Sequence, residues 1–160
     1  MKLLIYQNHS CFLNDIYEVC TEKNIAYDVF EWNLNDCNCD ELFQDRFVKA
    51  VDGSKYDAVL SINFYPAIST ACMKKNIKYI AWCYENPLSG MNIETSLNNS
   101  VNYVFLFDKM QFWKYIQKGF ETVYYLPLGV NKTRLLNISL AKSDWQEYTA
   151  DVSFVGSLYN

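Results

Sequence analysis

Basic residues are in short supply in this sequence, and those present are scattered. Fourteen Lys and Arg stand against eighteen Asp and Glu, a formal net charge of −4 with a pI near 4.9. That balance excludes the positive face that nucleic-acid binding requires. Long apolar runs are absent too: nothing approaches the roughly 20 residues of a membrane-crossing helix, and residues 1–6 are too short for the core of a secretory signal. The chain therefore reads as cytoplasmic, with no membrane span. Glycine is sparse, at five residues, and no Walker loop, dinucleotide fingerprint or nucleophile elbow occurs, which argues against NTPase, dehydrogenase and hydrolase chemistry. A single histidine, His9, stands far from Cys37 and Cys39, whose one-residue spacing is not that of a zinc knuckle. Neither a metal nor a cofactor is expected. The other cysteines, Cys11, Cys20, Cys72 and Cys83, complete a set of six that, without a signal segment or loop-rich character, reads as reduced thiols.

What the sequence does contain is apolar surface. Half of its 160 residues are hydrophobic and 17% are aromatic, enough for one domain with a sizeable core and incompatible with a disordered tail. The organising stretch is 56–87. Residues 57–62 and 78–82 are short, nearly continuous apolar runs, and Pro66 opens a helix between them. Such a pattern predicts parallel strands buried on both faces.

The same alternation extends in both directions. Strands are predicted at 2–6, 26–30, 103–107 and 122–126. Helical spacing appears at Leu13, Ile16, Val19 and Cys20, at Leu42, Phe43, Phe47, Ala50 and Val51, and at Phe112, Tyr115 and Ile116, with a short helix over Met91, Ile93 and Leu97. Three helices should end alike, at Lys23-Asn24-Ile25, Lys75-Asn76-Ile77 and Lys118-Gly119-Phe120. In each, a cation suits the negative helix end, Asn or Gly takes the left-handed position, and an apolar residue packs back on the last turn. Asp52 and Gly53 end the helix before the third strand, and Asp108 with Gln111 forms a capping-box arrangement. Residues 1–127 thus read as a Rossmann-like three-layer αβα domain with six parallel strands in the order 2-1-3-4-5-6. Residues 128–160 are more polar: one helix around Trp145, then a strand at 151–155 followed by Gly156 and Ser157.

In an open parallel sheet, ligands bind beyond the carboxyl ends of the strands, where the order reverses. That places the loop of Asn8, His9 and Ser10 beside the loop of Asn63, Phe64 and Tyr65, with Tyr84, Glu85 and Asn86 next along. His9 and Glu85 have the chemistry of a general base; Asn63, Phe64 and Tyr65 suit hydrogen bonding and ring stacking on a ligand. Plainer roles exist for each. His9 can be an exposed residue ahead of a helix, Glu85-Asn86-Pro87 a turn, and 63–65 a turn with packed aromatics. Asp15 is placed to orient His9 or to meet the helix dipole.

The runs at 56–65, 79–87, 103–108, 124–131 and 151–160, including Trp82-Cys83-Tyr84-Glu85-Asn86-Pro87 and Leu126-Pro127-Leu128-Gly129-Val130-Asn131, together resemble the N-terminal half of bacterial CgeB-like glycosyltransferases of the GT-B fold. The resemblance spans nearly the whole chain in order. It implies an acceptor-binding domain (Asn8, Ser10, Asn63, Phe64, Tyr65, Tyr84, Asn86) with Glu85 or His9 as base. A second domain would bind the nucleotide sugar, entered at 151–160, where Gly156 and Ser157 would approach the donor phosphates. The implied partners are a nucleotide sugar, a glycan or other hydroxyl acceptor, and the protein's own C-terminal donor domain. Two positions depart from the family pattern: Glu85, where Asp is usual, and Gly129, where Ala is usual. The alternative is a stand-alone flavodoxin-like ligand-binding or interaction module without catalysis, with a flavin-binding version of it third.

Overall fold

The computed structural model describes residues 1–8, 10, 12–38, 40–51, 55–88 and 93–154. In chain order the elements of the first part are β1 (Lys2–Gln7), α1 (Leu13–Glu22), β2 (Ala26–Glu31), α2 (Glu41–Ala50), β3 (Ala58–Ile62), α3 (Pro66–Lys75), β4 (Lys78–Cys83), α4 (Ile93–Leu97), β5 (Asn102–Leu106), α5 (Lys109–Gln117) and β6 (Val123–Tyr125).

Helix endings explain why strand follows helix. Asn24, Asn76 and Gly119 all lie in the left-handed region, at φ of 53°, 50° and 85°. Beyond each, the next apolar N–H turns back to the helix: Ile25 to the Cys20 carbonyl at 2.8 Å, Ile77 to Cys72 at 3.1 Å, and Phe120 to Tyr115 at 3.2 Å. The left-handed residue itself donates to the carbonyl three positions earlier, so two otherwise unpaired carbonyls are satisfied and the chain is redirected into the next strand. Helix starts are equally local. Asp40 accepts the Phe43 N–H at 2.8 Å and Asp108 the Gln111 N–H at 2.6 Å. The return half of the expected capping box is not made by Gln111 Oε1, which is buried without a hydrogen-bond partner. The expected stop at Asp52 and Gly53 lies outside the described residues.

The six strands form one sheet, all parallel, in the order β2-β1-β3-β4-β5-β6. Alternation along the strands divides the core between the sheet's two faces. Val59, Tyr79, Ala81, Cys83, Val104 and Leu106 point to a larger cluster covered by α2, α3, α4 and α5, whereas Leu3, Ile5, Ala58 and Ile62 point to a smaller one with Leu13 and Cys20 of α1. Small residues on α3 (Ala67, Ser69, Ala71) let it lie close to the sheet, while the fully buried Phe43 and Phe47 rings of α2 stack at 5.4 Å. Burying one such ring is worth about 1.5 to 3 kcal/mol. These layers are a Rossmann-like three-layer α/β arrangement.

The chain divides after Leu128 into two compact units, one residue beyond the boundary read from the sequence. The second unit holds α6 (Lys132–Leu136), started by Asn131 accepting the Arg134 N–H at 2.9 Å, and α7 (Lys142–Tyr148), where Asp144 accepts the Ala141 N–H at 2.7 Å. The helix around Trp145 is α7; α6 was not expected. A correction concerns the strand at 151–155. Its described residues, 151–154, are exposed and not in a strand, because a strand forms only where a neighbour pairs its backbone. Val155 and the donor-side candidates Gly156 and Ser157 lie outside the described residues.

Candidate functional site

Strand order reverses at β1, with β2 on one side and β3 on the other. Beyond the carboxyl ends of these strands the loop 63–65 is fixed by a chain of hydrogen bonds running into the core. Ser61 Oγ donates to the Asn63 carbonyl at 2.6 Å and lies 2.7 Å from the Tyr79 hydroxyl, which accepts the Tyr65 N–H at 3.0 Å. Since the Ser61 proton goes to Asn63, the Tyr79 proton goes to Ser61, and every group in the chain is used once. Tyr79 is fully buried and Ser61 too. Burial raises the Tyr79 phenol well above its ordinary range, so it stays a neutral link.

Asn63 sits at φ 65°, a backbone conformation Asn tolerates better than most side chains. Its N–H donates to the Trp82 carbonyl at 2.9 Å, and its Oδ1 accepts the Tyr84 N–H at 3.1 Å. These two bonds splice the loop after β3 to the end of β4, and Glu85 follows directly. On the other side, Asn8 Nδ2 donates to the Ile62 carbonyl at 3.0 Å and to the Tyr65 hydroxyl at 2.8 Å. The loops after β1, β3 and β4 are thereby locked together.

Among the described residues two cavities open there. A small one, of about 80 Å³, is lined by Cys37, Asn63, Phe64, Tyr65, Glu85 and Leu88. The larger, of about 600 Å³, lies over β1 and β2 and is walled by Gln7, Asn8, Glu31, Asn33, Asn35 and Tyr65, with Tyr6 below. Tyr65 and Cys37 border both. The loop after β2 is held by Asp40 Oδ2, which accepts the Asn35 N–H at 3.0 Å and its Nδ2 at 3.3 Å. The N–H groups of Phe43 and Asn35 keep the Asp40 carboxyl below the usual carboxylate range.

The phenols are donors and acceptors rather than bases. Burial, with Tyr65 nearby, pushes Tyr6 up to about 12, and its hydroxyl donates to the Trp32 carbonyl at 3.2 Å. Tyr65 is likewise raised, first by burial and against the pull of Asn8, with the Glu85 charge adding to the rise. A half-buried carboxylate and a neutral phenol therefore face one small cavity, an arrangement that can hold a hydroxyl group and take its proton.

The candidates read from the sequence fall into three groups. Asn8, Asn63, Phe64, Tyr65 and Glu85 come together, although Phe64 is only 3% exposed and packs on Tyr79, so its ring belongs to the core rather than to a stacking surface. Ser10, Tyr84 and Asn86 do not line these cavities. Ser10 serves a local turn, its N–H on Asn8 Oδ1 and its Oγ accepting the Phe12 N–H. The Tyr84 ring lies on the α1 side of the sheet, 5.1 Å from Phe12. Asn86, joined to Pro87 by a cis peptide, borders a separate cavity of about 350 Å³ with Asp108, Gln111 and Lys114. His9 lies outside the described residues.

Residues not singled out from the sequence are Tyr6, Gln7, Glu31, Asn33, Asn35 and Cys37. The order 2-1-3 was the signal that points to them, because it sets the loop after β2 beside the loop after β1. Among the described residues no three His, Cys, Asp or Glu side chains gather as metal ligands do, and no helix is long and apolar enough to cross a membrane. Comparison of the chain with protein-family models and with curated proteins gives no match.

Proposed function

We infer that this chain is the acceptor-side domain of a bacterial, cytoplasmic CgeB-like glycosyltransferase that moves a sugar from a nucleotide donor to a carbohydrate or other hydroxyl acceptor. The reading rests on the ordered series of residues that resembles that family. The structural observation carrying it is that Glu85 and Tyr65 border one cavity at the carboxyl edge of the sheet, where α/β sheets bind ligands.

In the proposed reaction the acceptor hydroxyl lies between these two side chains. As its oxygen bonds to the anomeric carbon, the proton passes to the Glu85 carboxylate. The bond from that carbon to the diphosphate oxygen breaks, and its electron pair leaves with the nucleoside diphosphate. His9 is the second candidate for the base. Donor contacts belong to the region entered at Gly156 and Ser157, so residues 1–160 alone should bind acceptor weakly and transfer nothing.

The competing reading, a stand-alone binding module, draws support from the first unit, Met1–Leu128, which carries its own core. Titration of the chain with neutral oligosaccharides, followed by amide NMR, separates the two. Shifts centred on Asn8, Asn63, Tyr65 and Glu85 support the acceptor site; no shift there with any glycan removes it and leaves the binding module ahead.

A further inference from the structure

We propose that the larger cavity is a subsite for the body of the acceptor and selects uncharged or amine-bearing polyhydroxyl molecules over anionic ones. This inference rests on the acceptor-side reading and adds to it the chemical class of the ligand.

The inventory of hydrogen-bonding groups carries the argument. Several groups on the cavity wall are already engaged within the protein. Asn8 spends its Nδ2 on Tyr65 and Ile62 and its Oδ1 on the Ser10 N–H. Asn35 gives its Nδ2 to Asp40, and Gln7 Oε1 accepts from the Tyr17 hydroxyl at 3.4 Å. What remains for a ligand is mixed. On the lining residues, the groups with no hydrogen bond among the described residues are the acceptors of Glu31, Asn35 and Asn33 and the donors of Asn33, Gln7 and Tyr65, the last because Asn8 donates to that hydroxyl.

A sugar hydroxyl donates and accepts at once, so it pairs with both kinds of group. A carboxylate or phosphate only accepts: it meets three neutral donors, leaves the wall's acceptors facing it unpaired, and is repelled by Glu31. Among the described residues no Lys or Arg lines either cavity. The guanidinium of Arg46 instead lies over the Trp32 ring, 3.9 Å from its centroid. A volume of about 600 Å³ falls within the usual range for small-ligand sites, and because Tyr65 forms the wall shared with the Glu85 cavity, a ligand seated here presents an end to that carboxylate.

The test uses sugars that differ in charge at one position: methyl glucoside, glucosamine and glucuronate, with the corresponding galacto series, each titrated into the chain at low salt and read from the amides of Asn8, Asn33, Asn35 and Tyr65. The neutral and amino sugars of at least one series should bind more tightly than the uronate by roughly tenfold, the scale of one like-charge contact in partly solvated surroundings. Glu31→Gln should shrink that ratio to about threefold or less. Equal binding of uronate and neutral sugar, or an unchanged ratio in Glu31→Gln, overturns the proposal while leaving the acceptor site standing. Absence of binding by every sugar at these amides overturns both together.

Discussion

Replacing Tyr79 by Phe should destabilise the first unit by about 2 kcal/mol while leaving its architecture intact. The ring is fully buried and keeps its packing, including the Phe64 ring at 5.7 Å, so the change is confined to one oxygen. That oxygen accepts the Tyr65 N–H at 3.0 Å and stands 2.7 Å from Ser61 Oγ. Its loss leaves a part-buried amide without an acceptor, a cost of about 1 to 3 kcal/mol. With a denaturant slope of about 2 kcal/mol per M for a unit of this size, the urea midpoint should fall by about 1 M. Tryptophan fluorescence follows it, since Trp82 sits on the same strand, β4. Ser61→Ala removes the next link, and because both substitutions interrupt one chain, the double variant should cost less than the sum of the singles by about 1 kcal/mol. A midpoint shift below about 0.2 M for Tyr79→Phe, or strict additivity in the double variant, would refute the hydrogen-bond chain as the anchor of the loop that carries Tyr65.

Asp28 on β2 is contacted by Lys55 Nζ at 2.7 Å, the Tyr56 hydroxyl at 2.6 Å and Lys2 Nζ at 3.0 Å, and these hold its carboxyl far below the ordinary range. A depressed carboxyl contributes stability above its unfolded value, about 3.9, and loses that contribution as pH falls through the folded one. Thermal melts should therefore drop steeply below about pH 5, and Asp28→Asn should flatten that acid limb while lowering the melting temperature at pH 7; identical acid limbs would contradict the assignment. Asn63→Ala puts an alanine at φ 65° and strips the acceptor from the Tyr84 N–H. It should cost about 2 to 3 kcal/mol in urea titrations and shift the Glu85 amide in NMR spectra, whereas an unmoved Glu85 signal would disconnect the two loops.

The architecture was legible because its signals are local and repeated. Asn24, Asn76 and Gly119 each stand between a helix and an apolar run, and that three-residue pattern is enough to fix a helix end. Strand order followed from right-handed crossovers between short apolar runs. The site was legible only as an address. Ser61 and Tyr79 meet because β3 and β4 pair in a register that sets Ser61 opposite Ala81, and nothing in either strand alone marks them as a linked pair. Tyr84 was read as a site residue although the parity of Ile80, Trp82 and Tyr84 sends it to the α1 side, opposite Tyr79, Ala81 and Cys83. The loop of Glu31, Asn33 and Asn35 went unremarked because a polar loop has no pattern of its own; its meaning comes from lying beside β1. At 151–154 the local apolar character suggested a strand, but pairing is a property of two segments, which one segment's composition does not report, and these described residues are not in a strand.

The most direct test of the central claim is sugar transfer by the native protein that contains this chain, isolated from its source cells and compared with its Glu85→Gln variant. The account predicts a native mass more than twice the 18.8 kDa of this chain, together with transfer from a nucleotide sugar to a hydroxyl acceptor. In the variant the turnover rate should fall by about 100-fold or more, as the loss of a general base requires, with acceptor KM little changed. Transfer that survives Glu85→Gln undiminished would pass the role of base to His9; a native protein of 18.8 kDa that moves no sugar would contradict the glycosyltransferase reading itself.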